Sequence, residues 1–283
     1  MPSLSPQLFA ILSALVEERL GLHYGREDAE IFGDKIAMRA SEAGFETALD
    51  YYYFLRYDPA ARAELDSLAD ALVVGETYFF RELEPLRLAV EHAVKPAVAR
   101  SGKARIWSAA CATGEEPVSL SLVLEAEGIR TSCEIVATDL STRALAKARA
   151  GSYGPRSLRA MPPEAVQATV TGSLATIAQQ RIVRDGSRAQ VARPIVDAID
   201  YRQINLLDDA AIRALGAFDL IVCRNVLIYF ADATVKRVVT SLASILRSDG
   251  RLLIGASESL LRFGTVLRCE ERGGGFLYAR EAS

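Results

Sequence analysis

Residues Arg105 to Leu124 read R-I-W-S-A-A-C-A-T-G-E-E-P-V-S-L-S-L-V-L. A short apolar strand around Ile106 and Trp107 leads into small residues that end at Gly114, and a helix opens near Pro117. Small residues at the end of a strand let a ligand approach the backbone closely, and proline suits the first turn of a helix. Strand, small-residue loop and helix, in this order, predict the nucleotide-binding unit of a doubly wound α/β fold.

The loop departs from the dinucleotide form of this unit. It contains no G-x-G-x-x-G, and Glu115 and Glu116 stand where they would repel phosphate groups. The sequence therefore predicts a nucleoside ligand without phosphate, and the two carboxylates suit a ligand that carries positive charge.

Composition narrows the class of protein. Half of the 283 residues are hydrophobic and the net charge is −3, which allows a sizeable core and argues against general nucleic-acid binding. No apolar run approaches the ~20 residues of a membrane span, and no signal-peptide segment is present at the start. The four scattered cysteines indicate reduced thiols and, with two distant histidines, no metal site. We therefore expect a cytoplasmic protein without membrane insertion.

Residues 1–74 predict an all-helical domain, because apolar side chains between Leu8 and Val16 recur at helical spacing. The first 80 residues hold six basic and fourteen acidic residues, a net charge of −8, so the rest of the chain carries +5. This asymmetry suggests two units with different surfaces. A connector and linker helix at 75–100 would join them.

From residue 101 onward, strands and helices alternate. This order predicts a doubly wound, mostly parallel α/β sheet in a catalytic domain at 101–283. Asp185 and Gly186 lie between β-rich flanks and signal a hairpin, so we expect a small antiparallel insert at about 155–200. Strand-like segments around three glycines, residues 273–275, predict a second hairpin that adds an antiparallel strand to the main sheet.

Two polar residues follow strands of the predicted sheet. Asp139 lies 25 residues beyond Gly114, where an acidic side chain typically accepts hydrogen bonds from ribose hydroxyls. The alternative is that Asp139 caps the following helix, although Ser141 can do so itself. Asn205 follows the next strand and would reach the base or ribose, or else would only form an Asx-turn.

A second informative stretch, Phe218 to Phe230, reads F-D-L-I-V-C-R-N-V-L-I-Y-F. Its apolar start predicts a buried strand, so that Cys223, Arg224 and Asn225 stand at the carboxyl end, over the crevice. An Arg-Asn pair there would alternatively only close a loop with hydrogen bonds. Tyr229 follows Asn225 by about one helical turn and would place a hydroxyl over the same crevice.

Six segments together resemble one known family. They are F-F-R at 79–81, A-A-C-A-T-G-E-E-P, A-T-D-L-S, I-N-L-L-D, C-R-N-V-L-I-Y-F and G-A-S-E-S-L, in this order. Over residues 8–280 the chain resembles the CheR family of chemotaxis-receptor glutamate methyltransferases. The resemblance implies a class I methyltransferase-like catalytic domain with a small antiparallel insert behind a helical domain. It also implies that S-adenosylmethionine methylates receptor glutamates, leaving methyl esters and S-adenosylhomocysteine.

The resemblance also implies site residues. The family's connector reads roughly N-x-T-x-F-F-R, which Thr77 and Arg81 match, whereas Gly75 replaces the asparagine, so that either one side-chain hydrogen bond to the cofactor is missing or a backbone group supplies it. Arg81 and Tyr229 are the implied catalytic residues, and no metal is implied. The implied cofactor-binding residues are Gly75, Thr77, Arg81, Ala110, Gly114, Glu115, Asp139, Asn205, Leu206, Cys223, Arg224 and Asn225.

The residue types fit methyl transfer to a carboxylate. A glutamate side chain has a pKa of about 4.3 and is already an anion at neutral pH, so no general base is needed. The reaction needs alignment of oxygen, methyl and sulfur and exclusion of water. Arg81 would hold the incoming carboxylate through paired N–H donors, and Tyr229 would orient the carboxylate or the methyl group.

Partners are implied less directly. The family's helical domain presents basic residues to receptor helices, for which Lys35 and Arg39 are candidates, although the −8 charge equally suits a solvated surface. The insert docks a receptor-tail peptide in some members. We expect a monomer acting on the cytoplasmic helical region of chemotaxis receptors or on a related signalling protein. The alternatives are a methyltransferase of the same fold with another substrate, and a catalytically weak S-adenosylmethionine-binding scaffold.

Overall fold

The computed structural model describes residues 4–161 and 170–281, so part of the predicted insert, 162–169, lies outside the described residues. Its helices are α1 (Pro6–Leu20), α2 (Ala29–Glu42), α3 (Ala48–Tyr57), α4 (Ala61–Leu72), α5 (Leu83–Ala89), α6 (Lys95–Ser101), α7 (Glu115–Ala126), α8 (Thr142–Ala150), α9 (Gly172–Arg181), α10 (Arg193–Asp197), α11 (Asp209–Ala214) and α12 (Asp232–Ser244). Its strands are β1 (Ala104–Ala109), β2 (Cys133–Asp139), β3 (Ser152–Tyr153), β4 (Ile182–Asp185), β5 (Arg188–Val191), β6 (Ile199–Gln203), β7 (Phe218–Cys223), β8 (Leu246–Ile254), β9 (Leu267–Arg272) and β10 (Gly275–Arg280).

The main sheet has the strand order β6-β2-β1-β7-β8-β10-β9. β6, β2, β1, β7 and β8 are parallel, whereas β10 and β9 join as an antiparallel hairpin. The chain leaves β1 for β2 on one side and later enters β7 on the other, so the order reverses at β1. The predicted doubly wound, mostly parallel α/β fold is confirmed.

Side chains of β1 alternate between the two faces of the sheet, as the period of a strand requires. Ile106 packs into the apolar cluster that also contains Leu122 of α7, whereas Trp107 packs into the opposite cluster with Phe218. The indole N–H of Trp107 donates to the Thr138 hydroxyl at 2.9 Å. Both faces of the strand are therefore buried, which explains its nearly continuous apolar sequence.

The four helices α1 to α4 enclose a third apolar cluster, which includes Phe32 and Tyr51. Ser5 caps α1 by accepting from the Leu8 N–H, and Gly21 ends it with φ of 81°. Within the described residues, no helix is long and apolar enough to cross a membrane.

The predicted basic face of α2 is not an open surface. The Arg39 guanidinium binds the Glu64 carboxylate at 2.6 Å, and only 15% of its side chain is exposed. The Lys35 ammonium donates to the Leu72 carbonyl at 3.1 Å. Both cations are engaged by helix α4 or its end, and their role as a receptor-docking pair stays a prediction.

A separate antiparallel sheet, with the order β3-β5-β4, lies between β2 and β6 along the chain. β4 and β5 form the hairpin predicted at Asp185-Gly186, and Gly186 has the positive φ, 56°, that the turn requires. The short helical turn Pro155–Leu158 leads from β3 toward the carboxyl end of the main sheet.

Candidate active site

A cavity of about 390 Å³ opens at the carboxyl ends of β1, β2 and β7, where the strand order reverses. Such crevices are the usual ligand sites of open α/β sheets. Most of the predicted site residues line this cavity. They are Gly75, Thr77, Arg81, Ala110, Asp139, Asn205, Leu206, Arg224, Asn225 and Tyr229.

Glu115 does not reach the cavity. Its carboxylate is buried and accepts hydrogen bonds from the hydroxyls of Ser157 and Thr113, each at 2.7 Å. It therefore attaches the turn at 155–158 to the loop after β1. The neighbouring Glu116 lines the cavity instead, and the predicted contact of Glu115 with the cofactor stays a prediction.

Gly114 also lies outside the cavity wall, and it packs closely against α8. A Cβ atom there would lie 2.7 Å from the Cβ of Ala148 on α8, and its φ is +91°. The loop can pass this close to α8 only because residue 114 lacks a side chain.

Replacing Gly114 with alanine should destabilise the chain more than the same change at Gly128. Gly128 has a φ of +71°, but an added Cβ would meet nothing within 4 Å. Gly128→Ala should therefore cost only the left-handed strain, about 1–2 kcal/mol, whereas Gly114→Ala adds about 1–3 kcal/mol of overpacking. Urea unfolding of the two variants measures the difference, and equal losses would contradict the packing role.

Asp139 ends β2 at the cavity wall. Its two carboxylate oxygens accept the backbone N–H groups of Ala112 and Ser141, both at 2.8 Å. Burial raises the pKa of Asp139, and these N–H bonds oppose the rise. Ser141 itself caps α8, accepting from Ala144 at 2.9 Å. Asp139 thus organises the loop after β1 and keeps further lone pairs for ligand hydroxyls.

Asn205 forms the Asx-turn that the sequence left as an alternative. Its side-chain oxygen accepts the Leu207 N–H at 2.9 Å, and its amide donates to the Arg19 carbonyl at 2.8 Å. The side chain lines the cavity beside Leu206 but is bonded within the protein. It links the catalytic sheet to the end of α1.

Arg224 is the centre of a buried charged cluster. Its side chain is 1% exposed and contacts the carboxylates of Glu82 at 3.0 Å and Glu116 at 3.1 Å, and it donates to the Arg81 carbonyl at 2.8 Å. The Nε atom of Arg224 is buried without a partner. The preceding Cys223 is completely buried and contributes nothing to the cavity wall.

The cluster of Glu82, Arg224 and Glu116 also includes Arg81, whose Nε lies 3.9 Å from the Glu82 carboxylate, so two guanidinium groups meet two carboxylates. Burial raises the pKa of Glu116, and the Arg224 guanidinium opposes it. At Glu82 burial also acts to raise the pKa, but the same guanidinium, together with hydrogen bonds from Ala256 and Asn225, holds that pKa below its usual value. The Glu116 carboxylate lines the cavity, where an ionised carboxylate stabilises a cationic ligand group.

Arg81 and Tyr229 both line the cavity. Arg81 donates to the Glu76 carbonyl at 3.1 Å, and 30% of its side chain is exposed. Burial raises the pKa of the Tyr229 phenol, and the nearby Arg81 charge opposes that rise. The two predicted catalytic side chains are therefore brought together, although 148 positions of sequence separate them.

Arg159 holds the connector in place and was missed from the sequence. Its guanidinium binds the Glu76 carboxylate at 2.7 Å and lies 3.8 Å from the ring centroid of Tyr78. The Phe79 N–H also donates to the Ser157 carbonyl at 2.9 Å. These contacts fix the segment that precedes Arg81.

The helical region supplies one wall of the cavity. Leu22 pairs with Phe230 in an isolated antiparallel bridge, and the His23 N–H donates to the Tyr229 carbonyl at 2.8 Å. Tyr24 and Lys35 also line the cavity. No local sequence pattern indicates these contacts, because they depend on how the helices dock.

Backbone strain is concentrated around the cavity. Among the described residues, the non-glycine residues with positive φ all lie on three segments around the cavity. They are Phe80, Glu82, Ala110, Ala112 and Asn225. Each such conformation costs of order 1–3 kcal/mol and persists only where surrounding contacts enforce it.

A family model described as CheR methyltransferase, SAM binding domain, matches residues 75–272. The chain belongs to the CheR methyltransferase family. The family resemblance seen in the sequence is thus confirmed, and the chain is an S-adenosylmethionine-dependent methyltransferase of the chemotaxis type.

Curated CheR relatives cover most of the chain. Chemotaxis protein methyltransferase 2 of Vibrio cholerae serotype O1 is 32% identical over 254 residues, covering 88% of this chain and 84% of the relative. The chemotaxis protein methyltransferase of Klebsiella aerogenes is 34% identical over 259 residues, covering 90% and 84%. Among solved structures, the rRNA methyltransferase aviRa from Streptomyces viridochromogenes is 19% identical, with a TM-score of 0.41, over 74% of this chain and 87% of that one.

The cavity of this CheR chain fits S-adenosylmethionine. The cofactor combines ribose hydroxyls, a cationic sulfonium and an amino-acid end. Asp139 offers acceptors for hydroxyls, the Glu116 carboxylate on the cavity wall suits the cationic groups, and the unpartnered Nε of Arg224 remains to donate to an anionic oxygen. In the described part of the chain, no group of three or more His, Cys, Asp or Glu side chains is arranged to hold a metal ion.

Proposed function

We propose that this methyltransferase esterifies glutamate side chains of chemotaxis-type receptors. The observation that carries the proposal is that Arg81 and Tyr229 line one cavity, which Glu116 and Arg224 of the buried charged cluster also line. One part of the cavity suits a cationic donor, and the exposed guanidinium beside it suits an anionic acceptor.

The protein's contribution to the reaction is orientation. Bound S-adenosylmethionine supplies an electrophilic methyl group on a positively charged sulfur. The acceptor carboxylate is ionised at neutral pH, so no side chain has to remove a proton. Arg81 presents N–H donors to that carboxylate, and Tyr229 donates from the cavity wall. If Arg81 bound the carboxylate too tightly, it would stabilise the ground state and slow the reaction. The Arg81 side chain is partly exposed, which suits a transient contact.

The remaining cavity residues are assigned to the donor. We assign Asp139 to the ribose, Leu206 with the Asx-turn at Asn205 to the adenine, and Arg224 with Asn225 to the amino-acid end. Thr77 and Ala110 complete the wall. Each lies on the cavity surface, which supports these assignments.

We assign receptor docking to an apolar rim of the cavity. Ile31, Val74 and Ile228 line the cavity and are 54–63% exposed. They suit the apolar side of a receptor helix, whereas Lys35 and Arg39 are engaged within the helical region. We propose that residues 1–74 act with the connector at 75–100 and the catalytic domain at 101–283 as one substrate-binding unit.

The proposal is tested by incubating the chain with receptor membranes and S-adenosylmethionine labelled on its methyl group. Alkaline treatment should release the label as methanol, because carboxyl methyl esters are hydrolysed by base. Receptors whose acceptor glutamates are replaced by glutamine or alanine serve as the control and should take up no label. Base-stable label, or equal labelling of the control receptors, would overturn the assignment.

Replacing Gly75 with asparagine should tighten cofactor binding. Nothing lies within 4 Å of a Cβ added at Gly75, so a side chain is accommodated. One regained hydrogen bond is worth about 1 kcal/mol, or roughly fivefold in affinity. Calorimetry with S-adenosylhomocysteine measures the change. Gly75→Ala is the matched control, and an asparagine variant that binds no better than alanine would contradict a role for residue 75 at the cofactor.

A further inference from the structure

Glu258 binds four backbone N–H groups with one carboxylate. One oxygen accepts from Asn225 and Gly255, both at 2.8 Å, and the other accepts from Val226 at 2.9 Å and Leu227 at 2.7 Å. Successive backbone amides that converge on an anion form a nest. Here the anion is a side chain of the same chain, which reaches the nest from the turn after β8.

The nest lies in the segment that carries the site residues. Arg224 immediately precedes the bound amides, and Tyr229 follows them by two residues. Asn225 has a φ of 57°, a left-handed conformation that costs about 1–2 kcal/mol. Hydrogen bonds to a charged acceptor contribute about 1.5–3 kcal/mol each, so the Glu258 carboxylate outweighs this strain.

The turn after β8 that carries Glu258 also contacts Glu82 of the charged cluster. The Ala256 N–H donates to the Glu82 carboxylate at 3.1 Å, and that carboxylate also binds the Arg224 guanidinium at 3.0 Å. Glu258 itself is absent from the cavity wall. It would therefore act on bound molecules only through the residues that it holds.

We propose that Glu258 is a positioning residue for cofactor binding and methyl transfer. Its carboxylate fixes the backbone at 225–227, so that Arg224 faces the donor side of the cavity and Tyr229 faces the acceptor side. The part that concerns Tyr229 rests on the proposed function, whereas the part that concerns Arg224 requires only cofactor binding. Glutamine cannot replace Glu258, because its NH₂ group would face two backbone N–H donors.

The test compares Glu258→Gln and Glu258→Ala with Glu271→Gln, which removes an exposed carboxylate on β9. Calorimetry with S-adenosylhomocysteine reports on cofactor affinity without any acceptor, and initial rates with receptor membranes separate kcat from KM. Both Glu258 variants should bind S-adenosylhomocysteine about tenfold more weakly and should also have a lower kcat. Glu271→Gln should match the parent in both quantities. Added acetate should restore part of the affinity of Glu258→Ala, because a free carboxylate can occupy the vacated nest.

Two results would overturn the proposal. One is parental affinity and turnover in Glu258→Gln. The other is a folded Glu258→Ala protein whose weakened affinity for S-adenosylhomocysteine is not restored by acetate. The loss of affinity would then come from general destabilisation and not from the missing anion. If receptors prove not to be the substrate, the affinity measurements still decide the role of Glu258.

Discussion

Replacing Arg224 with methionine is expected to lower the free energy of unfolding by about 3–5 kcal/mol, because breaking a buried ion pair leaves uncompensated charge. The side chain is 1% exposed and lies between the carboxylates of Glu82 and Glu116. Cofactor binding should be lost as well, since the unpartnered Nε disappears with the guanidinium. Urea unfolding and calorimetry with S-adenosylhomocysteine measure the two effects.

The stability deficit of the Arg224 variant should depend on pH in a defined direction. Burial already raises the pKa of Glu116 and the Glu82 charge adds to the rise, whereas the Arg224 guanidinium and the Ser108 hydrogen bond oppose it. Without the guanidinium the folded pKa rises further above the unfolded value, so the folded state binds more protons and stability falls as pH increases. The deficit should therefore be smaller at pH 5 than at pH 8.

A second substitution provides the control. Glu116→Gln in the Arg224→Met background removes one of the two carboxylates that Arg224 binds and should recover part of the lost stability. It should also weaken the pH dependence, because the group that gains the proton is gone. If the loss in the free energy of unfolding depends neither on pH nor on this second substitution, lost packing and not charge explains the result.

Replacing Arg81 with alanine should lower turnover about a hundredfold, the scale of loss expected when a reacting group is misplaced. Cofactor affinity should change far less, because 30% of the side chain is exposed and its guanidinium donates to the Glu76 carbonyl. Tyr229→Phe removes only a hydroxyl from the cavity wall and should lower kcat in the same sense. Rates with receptor membranes and calorimetry with S-adenosylhomocysteine separate the two quantities.

Two companion variants sharpen the Arg81 experiment. Arg81→Lys keeps the charge but loses the planar pair of donors and should give an intermediate rate. Arg87→Ala, on α5, removes a guanidinium from an exposed i,i+3 pair with Glu84 and should behave like the parent. Near-normal turnover in both Arg81→Ala and Tyr229→Phe would remove these residues from the proposed reaction centre.

Features with local causes were predictable from the sequence. The strand, loop and helix between Arg105 and Leu124 follow from a buried apolar run, small residues and a helix start. The hairpin at Asp185-Gly186 follows from turn chemistry that only a few residue types satisfy. Asp139 could be placed at the cavity because the carboxyl ends of parallel strands meet at one edge of the sheet.

Features that depend on docking were not predictable. Glu115 and Glu116 are adjacent at the start of α7 and point about 100° apart, a consequence of 3.6 residues per turn. Which of them faces the cavity depends on where Ser157 packs. Glu258 lies 31 to 33 residues from the amides of 225–227, and no periodicity joins a side chain to backbone groups at that distance.

The contacts between the helical region and the catalytic loops have a consequence for biosynthesis. Arg19 and Asn205, which hydrogen-bond to each other, are 186 residues apart in sequence. At 5–20 residues per second, the end of α1 waits roughly 10 to 40 s on the ribosome before its partner is made. During that interval, the catalytic loops that complete the cavity beside Leu20 and Leu22 have not yet been synthesised. Nascent chains should therefore gain cofactor binding abruptly, after Glu258 has left the exit tunnel, and shorter intermediates should depend on chaperones.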